Sequence, residues 1–266
     1  MSDFDDPGVR IQTSAERETL ILNAVEQRRI LGMSELQAIT GASLPTLRRD
    51  LARLAKEGSL ERTRGGARAK GSPSTLDEMF ESRRLRNARE KTLIGKCAAD
   101  LVTDGSLIFT NDGSTILSFA MEVVNNGTDI TVATSALNIA EFFASSPHVE
   151  VLSLGGYLRE SSFGVVGPLT IRSLEALHAT VAFLGCSGLD STWGVMWNAV
   201  DDAHVAQVMA ERSQLVIVLA DSSKIGREAR ACGLAWKDVD IVVTDSAPVE
   251  FQEHLATHNV RLICPQ

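Results

Sequence analysis

Seven short apolar runs set the tightest limit on what this chain can fold into. They occupy residues 107–110, 130–134, 149–154, 180–185, 215–220, 241–244 and 260–263. Most are nearly continuous in apolar residues, as strands read when helices cover both faces of their sheet. Helical patterns lie between most of them, such as Ile116, Phe119, Ala120 and Val123, or Val205, Val208 and Met209. Strands alternating with helices predict an α/β domain built on a mainly parallel sheet. Apolar residues make up 44% of the chain, enough for a real core.

In such a sheet, ligands bind at the carboxyl ends of the strands. The first run is followed by Asn111, Asp112, Gly113, Ser114 and Thr115, which open a helix. Free N–H groups and hydroxyls at a helix start suit a phosphate, although Asp-Gly also serves as a plain structural turn. The second run ends in Thr134 and Ser135. The third leads into Gly155 and Gly156 and a flexible loop to Gly164 that carries Arg159. The fourth leads through 185–190 to Asp190, with Trp193 and Trp197 beyond. The fifth leads to Asp221 and Lys224. One such loop means little, but five at one sheet edge predict a pocket for a small polar anion. The two tryptophans read as core or interface packing, with a ring face toward the ligand as the alternative.

The other half of the argument lies near the N-terminus. Residues 14–29 read as a helix with Leu20, Ile21, Ala24 and Val25 on its apolar face. Ser34-Glu-Leu-Gln37 has the form of a capping box and opens a second, short helix. Gly41-Ala42 turns the chain, and Ser43 caps a third helix with Pro45 in its first turn. Leu44, Leu47, Leu51 and Leu54 form its apolar stripe, and Gly58 stops it as a left-handed residue. Thr46, Arg48, Arg49 and Arg53 point outward, and a short hairpin with a glycine turn follows, carrying Arg62 and Arg64. Helix, turn, helix and wing describe a winged helix whose third helix enters the major groove. Residues 43–70 carry eight basic and three acidic side chains, a local +5 in a chain of net −8, which leaves −13 elsewhere. Segregated charge of this kind marks a nucleic-acid-binding module on an acidic partner domain. Alone, the basic face also fits an ordinary solvated helix.

Thr46-Leu-Arg-Arg-Asp-Leu51, followed by Arg62-Thr-Arg-Gly-Gly-Ala67, resembles the signature of DeoR-family bacterial transcription regulators. The second half resembles the same family through 112–115, 133–135, Gly155-Gly156, 185–190 and 221–226. Phe80, Arg83, Glu90 and Lys91 match a stretch that precedes the family's second domain. The resemblance covers residues 14–245 and implies an effector domain similar to ribose-5-phosphate isomerase and glucosamine-6-phosphate deaminase. It implies DNA contacts from Ser43, Thr46, Arg48, Arg49, Arg53, Arg62 and Arg64, with Asp50 a structural partner of an arginine. It also implies a phosphorylated metabolite, with Asp112–Thr115 and Gly155–Gly156 cradling phosphate, Arg159 and Lys224 supplying charge, and Asp190 holding hydroxyls. Two departures stand out: Thr134-Ser135 lacks the family's intervening Asn, and the tryptophans are bulkier than usual.

The expected organisation is a winged helix-turn-helix over 14–69, a linker and connecting helix over 70–90, and an effector-sensing α/β domain over 91–266. Within the connecting stretch, Gly71-Ser-Pro-Ser74 reads as linker and Ser74-Thr-Leu-Asp77 as the cap of a helix that continues to Asp104-Gly105. The expected protein is a cytoplasmic, homo-oligomeric regulator, dimer or tetramer, that represses by binding a double-stranded DNA operator. Cys97, Cys186, Cys232 and Cys264 are scattered without metal-like spacing and read as reduced thiols. No metal, cofactor or membrane span is expected. The alternative is a sugar-phosphate isomerase or deaminase with a DNA-binding head. That chemistry needs a placed acid and base, and the residues after Asp190 supply neither the His nor the Glu of the deaminase pattern.

Overall fold

The structure, a computed structural model, describes residues 13–28, 30–63, 66–70, 80–159 and 162–265. The chain divides into two compact units, Met1–Met79 and Phe80–Gln266.

The first unit holds α1 (Ser14–Arg28), β1 (Ile30–Gly32), α2 (Met33–Thr40), α3 (Leu44–Lys56), β2 (Leu60–Thr63) and β3 (Gly66–Ala69). Ile21, Val25, Leu31, Leu36, Leu47, Leu51, Leu54 and Leu60 form its core. Leu44 departs from the expected stripe: it is 38% exposed and lies outside the core formed by Leu47, Leu51 and Leu54. The cap of α2 also differs from expectation. The Gly32 N–H donates to Glu35 Oε2 at 2.8 Å, and Ser34 is exposed inside the first turn. The shift follows from β1, a strand the sequence reading missed, which carries extended backbone up to Gly32.

The third helix keeps its expected punctuation. Ser43 Oγ accepts from the Thr46 N–H at 3.4 Å. Gly58 has φ +72°, the Ser59 N–H donates to Leu54 O, and the Gly58 N–H donates to Ala55 O. That pair of bonds is a Schellman closure, which a left-handed residue after the helix permits. Gly66 has a different task. It lies within the hairpin strand rather than at its turn, opposite Gly32, where an added Cβ would sit 1.9 Å from Leu31 O. Asp50, 6% exposed, receives the Arg17 guanidinium of α1 at 2.6 Å. An ion pair this sheltered positions two helices, since removing either member strands the other charge.

The second unit begins with α4 (Phe80–Leu85) and α5 (Ala88–Ala99). The expected start of this helical stretch, residues 71–79, lies outside the described residues. The helix is also not continuous: it breaks at Asn87, which adopts φ +51° and joins another element through its side chain.

The seven predicted strands all form. They are β4 (Leu107–Thr110), β5 (Ile130–Thr134), β6 (Val149–Ser153), β9 (Ala179–Gly185), β12 (Ser213–Leu219), β14 (Ile241–Val243) and β15 (Arg261–Ile263). They make one parallel sheet in the order β15-β14-β12-β9-β4-β5-β6. Alternate residues feed opposite cores, as the two-residue repeat of a strand requires. Ile108, Val181, Phe183, Ile217 and Val243 join Ile94, Phe119 and Phe143 on one face. Phe109, Ala182, Leu184, Val218 and Val242 join Leu174, Met209 and Leu255 on the other. The covering helices are α5, α6 (Ser114–Asn126) and α7 (Leu137–Ala144) on the first face. On the second they are α8 (Pro168–Glu175), α9 (Val200–Glu211) and α10 (Val249–Thr257).

Part of the expected loop between Gly155 and Gly164 is instead an antiparallel hairpin, β7 (Tyr157–Arg159) with β8 (Gly164–Val166). The stretch from Gly188 to Trp197 likewise forms β10 (Gly188–Asp190) and β11 (Gly194–Trp197), which pair with β13 (Ala231–Leu234). These satellites place Trp197 in the core at 4% exposure and leave Trp193 60% exposed.

The two glycines of the first unit separate two physical effects. Gly58→Ala should cost about 1 kcal/mol, the left-handed penalty of a Cβ. Gly66→Ala should cost more, about 2–3 kcal/mol, because backbone must move. Native-state hydrogen exchange at Leu31 and Ala67 reads both, and equal costs would overturn the close approach.

Candidate functional site: a basic helix face and a polar sheet edge

The first candidate site is the solvent face of α3. Burial of Leu47, Asp50, Leu51 and Leu54 turns Arg48 and Arg49 outward, and both are exposed. Neither forms an ion pair among the described residues. Arg53 lies on the α1 side of the helix and is tied to Glu18 and to Glu57, the latter at 3.1 Å. Ser43 and Thr46 stand together at the helix start with hydroxyls 2.9 Å apart. Arg62 is exposed on β2, and Arg64 lies outside the described residues. Arg68 of β3 is bonded to Glu61 across the hairpin at 2.6 Å. The face therefore offers two unengaged guanidinium groups, two hydroxyls and one wing arginine.

The second candidate site follows from strand order. After β4 the chain moves outward through β5 and β6, then returns to place β9 on the other side of β4. The crevice outside β4 and β9 is thus a topological switch point, the place where open α/β sheets bind ligands. Asn111 stitches it: its Nδ2 donates to Gly185 O at 2.9 Å and its Oδ1 accepts from the Gly185 N–H at 2.7 Å. Asp112 is half-buried beside Gly164 and Gly185. Gly113 (φ +137°) precedes α6, and Ser114 and Thr115 are buried in its first turn.

The other expected residues divide sharply. Thr134 is 1% exposed, and its Oγ1 accepts from the Ala136 N–H. Ser135 is buried, its carbonyl accepting from the Val165 N–H. Gly155 O accepts from Thr170 Oγ1 at 2.8 Å, and Gly156 packs against Val166 and Thr170. Arg159 pairs with Asp202 of α9 at 3.3 Å. Asp190 Oδ1 accepts from the Thr192 and Trp193 amides at 2.8 Å each, closing the turn between β10 and β11. The sequence suggests ligand groups at these positions; in the structure all but Gly156, which only packs, also carry a bond within the fold.

Lys224 lies in a cluster the sequence did not assemble. It follows β12 in a short turn that begins at Asp221, which is 1% exposed. Asn87 Nδ2 donates to Asp221 Oδ1 at 2.9 Å and to Ser223 Oγ at 3.2 Å. Lys91, 4% exposed, donates through Nζ to Arg83 O and, at 2.5 Å, to Arg86 O. Burial pushes the Asp221 carboxyl up. Bonds from Ser223 and Asn87, with the charges of Lys224 and Lys91, outweigh that and hold it below the usual range. Burial pushes Lys224 down against the pull of Cys186 and Asp221, with Arg227 and Arg83 adding like charge. Burial also pushes Lys91 down to about 8 and the Cys186 thiol up to about 12, which keeps that thiol protonated at neutral pH. In the sequence Lys91 stands out only through the family resemblance, because its place in a charged helical stretch gives no sign of burial.

Residues 17–72 match the DeoR-like helix-turn-helix domain, and residues 86–246 match the DeoR C terminal sensor domain. The chain is 34% identical to the uncharacterized HTH-type transcriptional regulator YulB of Bacillus subtilis, over 87% of this chain and 89% of that one. It is 26% identical to the HTH-type transcriptional repressor CsqR of Escherichia coli, over 96% and 97%. With the lactose phosphotransferase system repressor of Staphylococcus epidermidis it shares 28% identity over 90% and 94%. Ribose 5 phosphate isomerase A from Neisseria gonorrhoeae aligns over 53% of each chain at 18% identity, with a TM-score of 0.39.

The depressed Lys91 makes a signed prediction. The folded chain releases this proton near pH 8, whereas the unfolded chain holds it to about 10.5. Stability therefore rises with pH between those values, because the unfolded state binds the extra proton. Melting temperatures of wild type and Lys91→Met, taken from pH 7.5 to 10, should diverge in favour of wild type. A flat or falling difference refutes the assignment.

Proposed function

Since this chain belongs to the DeoR family of transcription regulators, we propose that it is an operator-binding repressor released or engaged by a small phosphorylated metabolite. One observation carries the reading: a compact basic winged helix and an α/β unit with a polar switch-point crevice are joined in one chain.

On the DNA side, α3 enters the major groove. Arg48 and Arg49 supply base-edge and phosphate contacts, Ser43 and Thr46 add hydroxyl contacts at the helix start, and Arg62 and Arg64 reach phosphate from the wing. Arg53 acts mainly as a brace, its charge engaged by Glu18 and Glu57. A winged helix reads a short half-site, so paired copies on a two-fold operator, as dimer or tetramer, fit this use.

On the effector side, the phosphate sits at the start of α6. There the N–H groups near Gly113, Ser114 and Thr115 have no partner within the helix, and the helix dipole favours an anion. Lys224 supplies the cation, and Asp112 faces the same crevice. Thr134, Ser135, Gly155, Gly156, Arg159 and Asp190 hold the walls in shape. Chemistry on the ligand is not part of this proposal: Asp190 is committed to two amides, and the Cys186 thiol is held protonated.

The test uses a duplex enriched from random sequence by the wild-type protein. Arg48→Ala and Arg49→Ala should each weaken binding by about 1–3 kcal/mol where a base contact is lost, or lower the salt slope by about 1 where a phosphate contact is lost. Arg53→Ala should do less. Unchanged affinity and slope in both of the first two variants would sink the assignment. In parallel, a thermal-shift screen against phosphorylated sugars and polyols should give a ligand that stabilises wild type by mass action, with the shift lost in Lys224→Ala.

A further inference from the structure

The short helix that opens the second unit crosses the ligand crevice. At its start, Phe80 is 3% exposed and packs edge-on against Phe163, with ring centroids 5.8 Å apart. Phe163 stands at the carboxyl end of β5, since its carbonyl accepts from the Leu137 N–H and its neighbour Gly164 bridges to Ala136. At the other end, Asn87 is bonded to Asp221 and Ser223, just past the carboxyl end of β12. Between β12 and β5 in the sheet lie β9 and β4, the two strands of the switch point. Four strands span about 14 Å at the usual spacing. The seven steps from residue 80 to 87 rise about 10 Å at helical pitch, and the last two residues leave the helix in a turn. Held beyond β5 at one end and beyond β12 at the other, this segment spans the crevice as a strap.

The strap and the floor beneath it carry the same charge. Arg83, Arg86 and Lys91 belong to the strap and its anchor, Lys224 and Arg227 to the floor, with the buried Asp221 between them. Lys91 holds the far end of the strap by donating to the carbonyls of Arg83 and Arg86. The turn that carries Lys224 also carries both acceptors of Asn87. A phosphate group arriving at Lys224 meets the charges that already bear on that lysine, Arg83 from the strap and Arg227 from the floor.

We propose, resting on the effector reading above, that residues 80–87 form a strap whose tightness reports the crevice's occupancy: an anion at Lys224 draws Arg83 down and holds the strap against the sheet edge. Asn87 is the bolt of this device, a positioning residue rather than a ligand contact.

Hydrogen exchange of the full chain tests it, with inorganic phosphate as probe and the melting temperature read alongside. In wild type, phosphate should raise the melting temperature and slow exchange across 80–91 by about fivefold or more. Asn87→Gly keeps the left-handed backbone but loses the amide. It should exchange faster in this stretch without phosphate and lose the slowing, while its melting temperature still rises. Stabilisation of wild type with no change across 80–91, or full slowing in Asn87→Gly, overturns the strap and leaves the effector site standing. If phosphate changes neither quantity, the crevice takes no such anion, and the effector reading falls together with this inference.

Discussion

A carboxylate with 1% of its surface exposed organises the sensor unit. Asp221 stands two residues beyond a β12 whose last four residues are apolar and buried. Such a group is costly to bury unless it is hydrogen-bonded and neighboured by opposite charge. The chain meets that demand from two directions. Ser223 and Asn87 donate to it, and Lys91 and Lys224 stand close enough to lower its pKa. Each partner then becomes fixed for a second reason. Asn87 must break the helix between α4 and α5 to reach the carboxylate. Lys91, drawn inside, caps the carbonyls that the break leaves open. The polar edge of the sheet and the path of the entering chain are thus consequences of one buried charge.

The DNA-binding unit follows a related rule with the opposite outcome. Its charges on the α1 side of α3 are consumed in pairs, Asp50 with Arg17 and Arg53 with Glu18. These pairs hold the two helices in register, and the ends of α3 are closed by Ser43 and Gly58. What remains on the far side is a helix fixed at both ends, with Arg48 and Arg49 exposed and without an ion pair among the described residues. The planar fork of each guanidinium suits it to a base edge or a phosphate.

The large features were legible because they are local in sequence. Strands buried on both faces read as apolar runs, and seven of them were found within a residue or two of their observed ends. The cap and stop of α3 are local motifs, as is the Gly41 turn. The features that escaped depend on partners far along the chain. The strands β1, β7, β10, β11 and β13 are three or four residues long and exist only through antiparallel pairing. Asp190 and Arg159 had the residue types of ligand groups. Whether such a group faces a crevice or closes a turn depends on backbone that no spacing rule places. Lys91 and Asp221 are 130 positions apart, and the Asn87 bond spans 134. The turn at Asp112–Thr115 was visible as a motif, but its position at the switch between β4 and β9 required the strand order.

Charge distribution ties the two units together. Outside residues 43–70 the chain carries a net −13, so a group of five cations around one carboxylate at the sheet edge runs against the average of its surroundings. Like charges packed this closely repel, and burial raises the cost because water cannot screen them. A fold does not gain stability from such an arrangement. Burial is the largest cause of the depressed Lys91 and Lys224, and the neighbouring cations add to it. A winged helix gathers its free arginines on an outer face for a polyanion that stays outside. The sensor edge instead sets two cations, Lys91 and Lys224, against a carboxylate that is itself buried.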